Sequence, residues 1–205
     1  MPSAVNKLYI GIDPDLRTMN VAIVTENKVP VAVFVRRNKT PQVGHGAVAA
    51  SVKTAFSLMQ DVVTWMDKEY SGFERVLVTE SQNMQQAIQY RRVNRKIDLE
   101  DILHLGQVAG IMMGVFGEWV STVHLIPASV WKGQVPKQIH QGRIYNRLDW
   151  LTADAIKVFT PKGTIYPENI SNGIGQYSFD KINPGDFEDI NDSLGLALFG
   201  AENRL

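Results

Sequence analysis

Short runs of apolar residues dominate the first forty positions and predict β-strands. Residues 8–13 form an apolar run, and residues 20–25 and 28–36 alternate polar and apolar positions after two short turn-like connections. We expect these three segments to pair as an antiparallel meander. Pro30 favours an outer strand or the start of a strand, because proline cannot donate a ladder hydrogen bond.

The remainder of the chain alternates helical and strand-like segments. An apolar run at residues 75–79 predicts a buried strand, and residues 120–126 predict a fifth strand. Helical periodicity covers four segments, at residues 47–69, 99–117, 137–159 and 188–201. Strands that follow helices usually join a sheet in parallel. We therefore predict an α/β fold with a mixed five-stranded sheet, three antiparallel strands followed by two parallel ones, and helices on both faces.

Length and composition describe an ordinary globular protein without cysteine chemistry. The chain has 205 residues, 44% of them apolar, with 21 basic and 21 acidic residues and no cysteine. We expect one domain over residues 1–205, with a long loop insertion at about 160–187 that is rich in Pro, Gly and Asn. The absence of cysteine excludes disulfide scaffolds, iron–sulfur clusters and thiol catalysis. No signal-peptide layout or membrane-spanning run is present, so we expect a cytoplasmic protein with no membrane partner.

Two acidic residues lie at the ends of predicted strands. Asp13 ends the first strand in Gly11-Ile12-Asp13-Pro14, and Glu80 directly follows the strand of residues 75–79. A charge at the end of a buried strand is unfavourable unless it is paired or used. An Asp-Pro turn and a helix-capping glutamate are the alternatives. If the two strands are neighbours, both carboxylates project from one edge of the sheet.

A second acidic pair, Asp189 and Asp192, lies at the start of the last predicted helix. Residues three apart share one face of a helix. The helix dipole also favours acids in a first turn, although it does not explain acids beside leucines that must pack inward. Four carboxylates in one pocket repel one another unless a cation neutralises them, and all-oxygen sites suit Mg²⁺ or Mn²⁺. Two such ions catalyse phosphodiester displacement, so the acids predict a metal-dependent phosphoryl-transfer site.

The order of these motifs resembles the RuvC Holliday junction resolvases of the ribonuclease H-like superfamily. The resemblance runs from about residue 8 to 200, and the compact chain is similar to phage-type members. It is tightest at Gly11–Pro14, Val76–Glu80, Leu105–Gly110 and Asp189–Asp192. It implies a ribonuclease H-like sheet, two Mg²⁺ ions per site (Mn²⁺ substituting), and a homodimer that resolves four-way DNA junctions in the cytoplasm, the host's if phage-encoded. The metal ligands and catalytic residues that it implies are Asp13, Glu80, Asp189 and Asp192.

Two basic segments, at residues 91–96 and 131–147, each carry four positive charges and no acid. Clustered Lys and Arg bind phosphates, although a solvated helix face is the simpler alternative for either cluster alone. A lysine beside the scissile phosphate would stabilise the charge on its oxygens; the resemblance assigns this catalytic role to Lys137, with Lys132 as the alternative. The predicted DNA contacts are Gln85, Tyr90, Arg91, Arg92, Arg95, Lys96, Lys132, His140 and Arg143.

Glycine recurs every four residues in the helix predicted over residues 99–117, at Gly106, Gly110 and Gly114. We expect this bare stripe to pack on the sheet, which leaves Met112, Met113 and Phe116 exposed for a dimer interface. A twofold symmetric junction suits an isologous dimer.

The leading hypothesis is a Mg²⁺-dependent, structure-specific endonuclease that resolves four-way junctions and other branched DNA. The same chemistry could instead cut RNA–DNA hybrids, flaps or forks. A non-catalytic junction-binding protein is a third possibility, disfavoured by the presence of all four acids. Sugar kinases and actin-like ATPases also begin with Gly-Ile-Asp, but 205 residues leave no room for their two domains.

Overall fold

The computed structural model describes residues 6–15, 18–37, 45–81, 99–133, 137–148, 157–160, 163–165 and 184–202. The chain begins with three strands, β1 (Lys7–Pro14), β2 (Thr18–Thr25) and β3 (Pro30–Arg37). Both pairings, β1 with β2 and β2 with β3, are antiparallel. The predicted meander is therefore confirmed, and Pro30 begins its third strand.

Two parallel strands complete the predicted sheet. Helix α1 (His45–Glu69) leads to β4 (Glu74–Ser81), which pairs in parallel with β1. Helix α2 (Leu99–Phe116) and a single 3₁₀ turn lead to β5 (Thr122–Pro127), which pairs in parallel with β4. The mixed five-stranded sheet is confirmed, with β1 at its centre in the order β5-β4-β1-β2-β3.

Two short strands extend this sheet beyond β3. Strand β6 (Lys157–Thr160) pairs in parallel with β3, and β7 (Gly163–Ile165) pairs antiparallel with β6. The sequence predicted helix up to residue 159 and loop beyond it, so both predictions were wrong here. The periodicity of apolar residues cannot distinguish a four-residue strand from the end of a helix. Pairing with β6 satisfies backbone N–H and C=O groups of β3 that would be left without strand partners if β3 were an edge strand.

The last helices build one face of the sheet. They are α3 (Ala128–Trp131), α4 (Lys137–Arg147) and α5 (Pro184–Ala201). Helix α5 packs on β1, β2 and β4, and α4 packs on the outer side of α5. The opposite face of the sheet is covered by α1 and α2. Helices on both faces are therefore confirmed, and each face encloses its own apolar core.

Gly11 allows α5 to lie directly against the centre of the sheet. A Cβ atom at Gly11 would lie 2.0 Å from the carbonyl oxygen of Ser193 and 2.6 Å from the backbone nitrogen of Ala197. The Ser193 hydroxyl also donates a hydrogen bond of 3.2 Å to the carbonyl oxygen of Asn20 in β2. This close approach fixes the distance between α5 and β1 in the region where both elements carry acidic residues.

Helix α2 is oriented opposite to the expectation from its glycines. A Cβ atom at Gly106, Gly110 or Gly114 would meet no atom within 4 Å, whereas Met112 and Phe116 are fully buried. The large side chains gain more from burial than the glycines do, so they take the face that packs on the sheet. Among the helices described above, none is long and apolar enough to cross a membrane.

Candidate carboxylate active site

Strand alternation places Asp13 and Glu80 on the face of the sheet that α5 covers. Successive side chains of a strand point to opposite faces, so Asp13 shares a face with Tyr9, and Glu80 with Val78, both in the α5 core. In the parallel β1–β4 pair, Ile12 lies beside Thr79. Asp13 and Glu80 are the next residues on these neighbouring strands, as the sequence predicted.

Helix α5 brings the second pair of acids to the same place. Asp189 is partly buried and Asp192 is buried. Burial raises the pKa of Asp13 well above its usual range, and the negative charges of Asp192, Glu80 and Asp189 raise it further, against the attraction of Lys132. The structure therefore brings together the four acidic residues singled out in the sequence.

The Lys132 ammonium group bridges two of these acids. Its Nζ lies 2.9 Å from Asp192 Oδ2 and 3.1 Å from Glu80 Oε2. Burial lowers the pKa of Lys132, but the attraction of Asp192 and Glu80 outweighs burial, so the pKa lies above its ordinary value and the amine stays protonated. Lys137, the lysine that the sequence favoured, begins α4, and its side chain is outside the described set.

Trp131 supports this arrangement, and the sequence analysis assigned it no role. Its indole Nε1 donates a hydrogen bond of 3.3 Å to Glu80 Oε2, and Lys132 Nζ lies 4.7 Å from the ring centroid. The ring fits over Gly195 of α5, where an added Cβ would lie 2.6 Å from Trp131 Cζ3. The feature of the sequence that could have identified Trp131 is its position beside a lysine in a basic segment.

Asn20 is a second residue that the sequence analysis missed. It is the cross-strand partner of Asp13, so both side chains lie on the α5 face. Asn20 is fully buried, and its Oδ1 and Nδ2 atoms have no hydrogen-bond partner among the described residues. Leaving a buried polar group unpaired costs roughly 1–3 kcal/mol. Asparagine is depleted in strands, so its presence in an apolar strand was the signal.

Apart from Lys132, two of the predicted DNA contacts lie among the described residues, and one of them is buried while the other is exposed. His140 is 6% exposed and packs its ring against Trp131 at 5.0 Å between centroids, so it does not present the surface that a phosphate contact needs. Burial lowers the pKa of His140, which favours the neutral ring. Arg143 is exposed on α4. The remaining predicted contacts apart from Lys132 lie outside the described residues: Gln85, Tyr90, Arg91, Arg92, Arg95 and Lys96.

The donor atoms of this centre are carboxylate oxygens, the type of ligand that divalent cations such as Mg²⁺ prefer. Asp192 Oδ1 is buried and accepts no hydrogen bond from the described residues, and Lys132 supplies one positive charge for four carboxylates. Among the described residues, no three His, Asp or Glu side chains are arranged at metal-binding distances. The ammonium of Lys132 occupies the space between Glu80 and Asp192 instead.

No protein-family model matches the chain, and no curated protein sequence does. Among solved structures, the chain is similar to RuvC of T. thermophilus in complex with a Holliday junction substrate, with 13% identity, a TM-score of 0.49, and coverage of 97% of this chain and 95% of that chain. It is also similar to the human cytomegalovirus terminase nuclease domain, with 11% identity, a TM-score of 0.47, and coverage of 96% and 82%. At identities this low, the similar structures give no information on the chemistry of the centre, which depends on the residues of this chain.

Proposed function

We propose that this protein is a metal-dependent endonuclease that cuts branched DNA, four-way junctions above all. The observation that carries the proposal is the clustering of Asp13, Glu80, Asp189 and Asp192, with the ammonium of Lys132 in contact with Glu80 and Asp192. Four carboxylates from three separate elements would repel one another strongly without a cation. A fold that retains this unfavourable cluster at the end of its central strands uses it for binding and chemistry.

The four carboxylates would hold Mg²⁺ or Mn²⁺, two ions per centre, because these hard cations prefer oxygen ligands. When bound, the ions supply positive charge that activates a water and stabilises the oxygens of a phosphodiester during displacement.

The surrounding side chains orient the reacting groups. Trp131 holds Glu80 Oε2 through its indole N–H, and the same oxygen contacts the ammonium of Lys132, so the carboxylate is fixed beside the centre. The protonated amine of Lys132 can donate hydrogen bonds to phosphoryl oxygens and stabilise the charge that develops on them. Lys137, at the start of α4, is proposed to assist in the same way.

The choice of branched DNA rests on the sequence motifs and on the basic segments. Exposed Arg143 on α4 and the basic residues 91–96 would contact the phosphate backbone, which supplies most of the affinity for nucleic acid. A homodimer would present two centres to the two strands of a symmetric junction. The exposed apolar residues Leu103 of α2 and Leu125 of β5 offer surface for that contact. We further propose a single domain that acts in the cytoplasm.

A cleavage assay on synthetic junctions tests the proposal. Each of the four strands is labelled in turn, and the junction is incubated with the protein in Mg²⁺, in Mn²⁺ and in chelator. We expect paired cuts in either metal, none in chelator, and loss of cutting for Asp13→Asn. Glu118→Gln, which alters an exposed residue of the 3₁₀ turn after α2, is the matched control and should cut normally.

Other outcomes of this assay would overturn the proposal in whole or in part. Full cleavage by Asp13→Asn, or cleavage in chelator, would contradict the metal-dependent centre. Faster cutting of an RNA–DNA hybrid, flap or fork in parallel reactions would contradict the assignment of four-way junctions. Tight junction binding without any cutting in Mg²⁺ or Mn²⁺ would indicate a non-catalytic binding protein.

A further inference from the structure

Lys132 places its positive charge between two of the acids that are proposed to bind metal. Its ammonium contacts Asp192 Oδ2 at 2.9 Å and Glu80 Oε2 at 3.1 Å, and the charge of Asp13 also acts on it. The two oxygens belong to two of the four acids that form the proposed centre, and Asp13 is a third acid close enough to act on the amine. A divalent cation that coordinates Glu80 and Asp192 therefore competes with Lys132 for the same atoms.

The side chain of Lys132 can leave this position without a change in the backbone. Its backbone N–H is held by the carbonyl oxygen of Ala128 at 2.9 Å, so the start of the side chain is fixed. The side chain is 31% exposed, compared with 10% for Asp192 and 16% for Glu80. Its Nζ lies over the ring of Trp131, 4.7 Å from the centroid, and the departing ammonium gives up this cation–π attraction together with its two ion pairs. The side chain of Lys132 is thus more open to solvent than those of the two acids that it contacts.

We infer that Lys132 is the internal counter-cation of the centre in its metal-free state, and that a divalent cation displaces its ammonium from Glu80 and Asp192. This inference rests on the proposed function, because it presupposes that the acids bind metal. A divalent cation bound at Glu80 and Asp192 repels the ammonium, and the lysine side chain is the partner that can move away. Lys132 thereby weakens cation binding, and its released amine stays tethered beside the centre, within reach of a phosphate.

Titration of the DNA-free protein with MnCl₂ in a calorimeter tests the competition directly. Lys132→Met should bind Mn²⁺ at least about tenfold more tightly than the wild type, because a charge at hydrogen-bonding distance no longer opposes the ion. Lys132→Arg keeps the charge and should bind no more tightly than the wild type. The matched control is Lys68→Met, since Lys68 has a side chain that is 79% exposed on α1 and lies beside Glu69; its affinity should not change.

Amine labelling of the wild-type protein gives a second measurement that does not depend on how a variant folds. Acetylation of each lysine is followed by mass spectrometry without metal and with saturating Mn²⁺. Reactivity of Lys132 should rise several-fold when Mn²⁺ is added, whereas that of Lys68 should stay constant. Unchanged or lower reactivity of Lys132 would overturn displacement.

The two measurements separate failure of the inference from failure of the proposed function. If the wild type and Lys132→Met both bind no Mn²⁺, the metal centre is wrong and the inference falls with it. If the wild type binds Mn²⁺ but Lys132→Met binds it equally well or more weakly, the inference alone is wrong. Tighter binding by Lys132→Met together with metal-induced labelling of Lys132 supports both.

Discussion

The indole of Trp131 donates a hydrogen bond to Glu80 Oε2 at 3.3 Å, which joins the short helix α3 to the end of β4. Glu80 follows the buried part of β4 directly, so its backbone position is set by the sheet. The hydrogen bond from Trp131 restricts the remaining freedom of Glu80, which is the rotation of its carboxylate group. Because Lys132 Nζ lies over the same ring, Trp131 contacts both a carboxylate and the ammonium of the proposed centre.

Trp131→Phe removes this hydrogen bond while it keeps an aromatic ring beneath Lys132. A hydrogen bond to a charged group contributes about 1.5–3 kcal/mol, so we expect junction cleavage to fall roughly tenfold or more with little change in the apparent affinity for DNA. Single-turnover cleavage over a range of protein concentrations separates the two effects. Trp119→Phe, at a 42% exposed position, is the control. Equal rates for the wild type and Trp131→Phe would show that the hydrogen bond does not matter.

Gly11→Ala should destabilise the fold because the added methyl group has no space. The atoms that it would meet are backbone atoms of α5, the Ser193 oxygen at 2.0 Å and the Ala197 nitrogen at 2.6 Å, so no side chain can move aside. Overpacking of this kind costs typically 1–3 kcal/mol and sometimes more, and we expect a loss of about 3 kcal/mol in urea unfolding. Displacement of α5 should also impair cleavage.

Gly110→Ala is the matched control for Gly11→Ala. Its Cβ would meet no atom within 4 Å, and the residue lies within α2. Replacement of glycine by alanine within a helix stabilises it by up to about 1 kcal/mol. Opposite signs for the two substitutions are expected, and a stable Gly11→Ala protein would contradict the close approach of α5 to β1.

The backbone layout and the acidic residues of this centre were predictable from the sequence, whereas the supporting residues were not. Asp13 and Glu80 end apolar strands, and local patterning identifies them without any knowledge of the structure. Trp131, Asn20 and the position of Lys132 depend on contacts between segments distant in sequence. Trp131 meets Glu80 only because β5 pairs in parallel with β4, and no local pattern encodes that contact.

The incorrect predictions have a common physical origin in tertiary packing. The glycines of α2 were expected inside because they permit close approach, but the apolar side chains on the opposite side of the helix gain more by burial. The residues of β6 were assigned to a helix because four residues carry too little periodicity to oppose the helical pattern before them. In both regions, packing and pairing with the sheet determine the observed structure, rather than the local sequence pattern.

Asn20→Leu should stabilise the metal-free protein and impair its activity. The substitution replaces two buried, unpaired polar atoms with apolar ones of similar volume, so the free energy of unfolding should rise by about 1–3 kcal/mol. We expect the amide to orient Asp13, its cross-strand partner, in the active complex, so junction cleavage should fall severalfold or more. Asn27→Leu, at an exposed turn position, is the control for both measurements. Unchanged cleavage would leave Asn20 without a role in the centre.

The raised pKa of Asp13 predicts how stability depends on pH when metal is removed by chelator. Burial, followed by the charge of Asp192, raises this pKa in the folded state above the value of about 4 in the unfolded chain. Between these two values the folded state binds more protons than the unfolded state, so stability falls as pH rises through the folded pKa. Metal-free wild type should therefore melt at a progressively lower temperature as pH increases from about 4, whereas Asp13→Asn should lose this contribution and melt higher at neutral pH.

The difference between the two melting profiles isolates Asp13 from other titrating groups such as His140, and Glu118→Gln should follow the wild type. If Asp13→Asn melts lower than the wild type at neutral pH in chelator, Asp13 is stabilised by its surroundings and the repulsion inferred among these acids is absent.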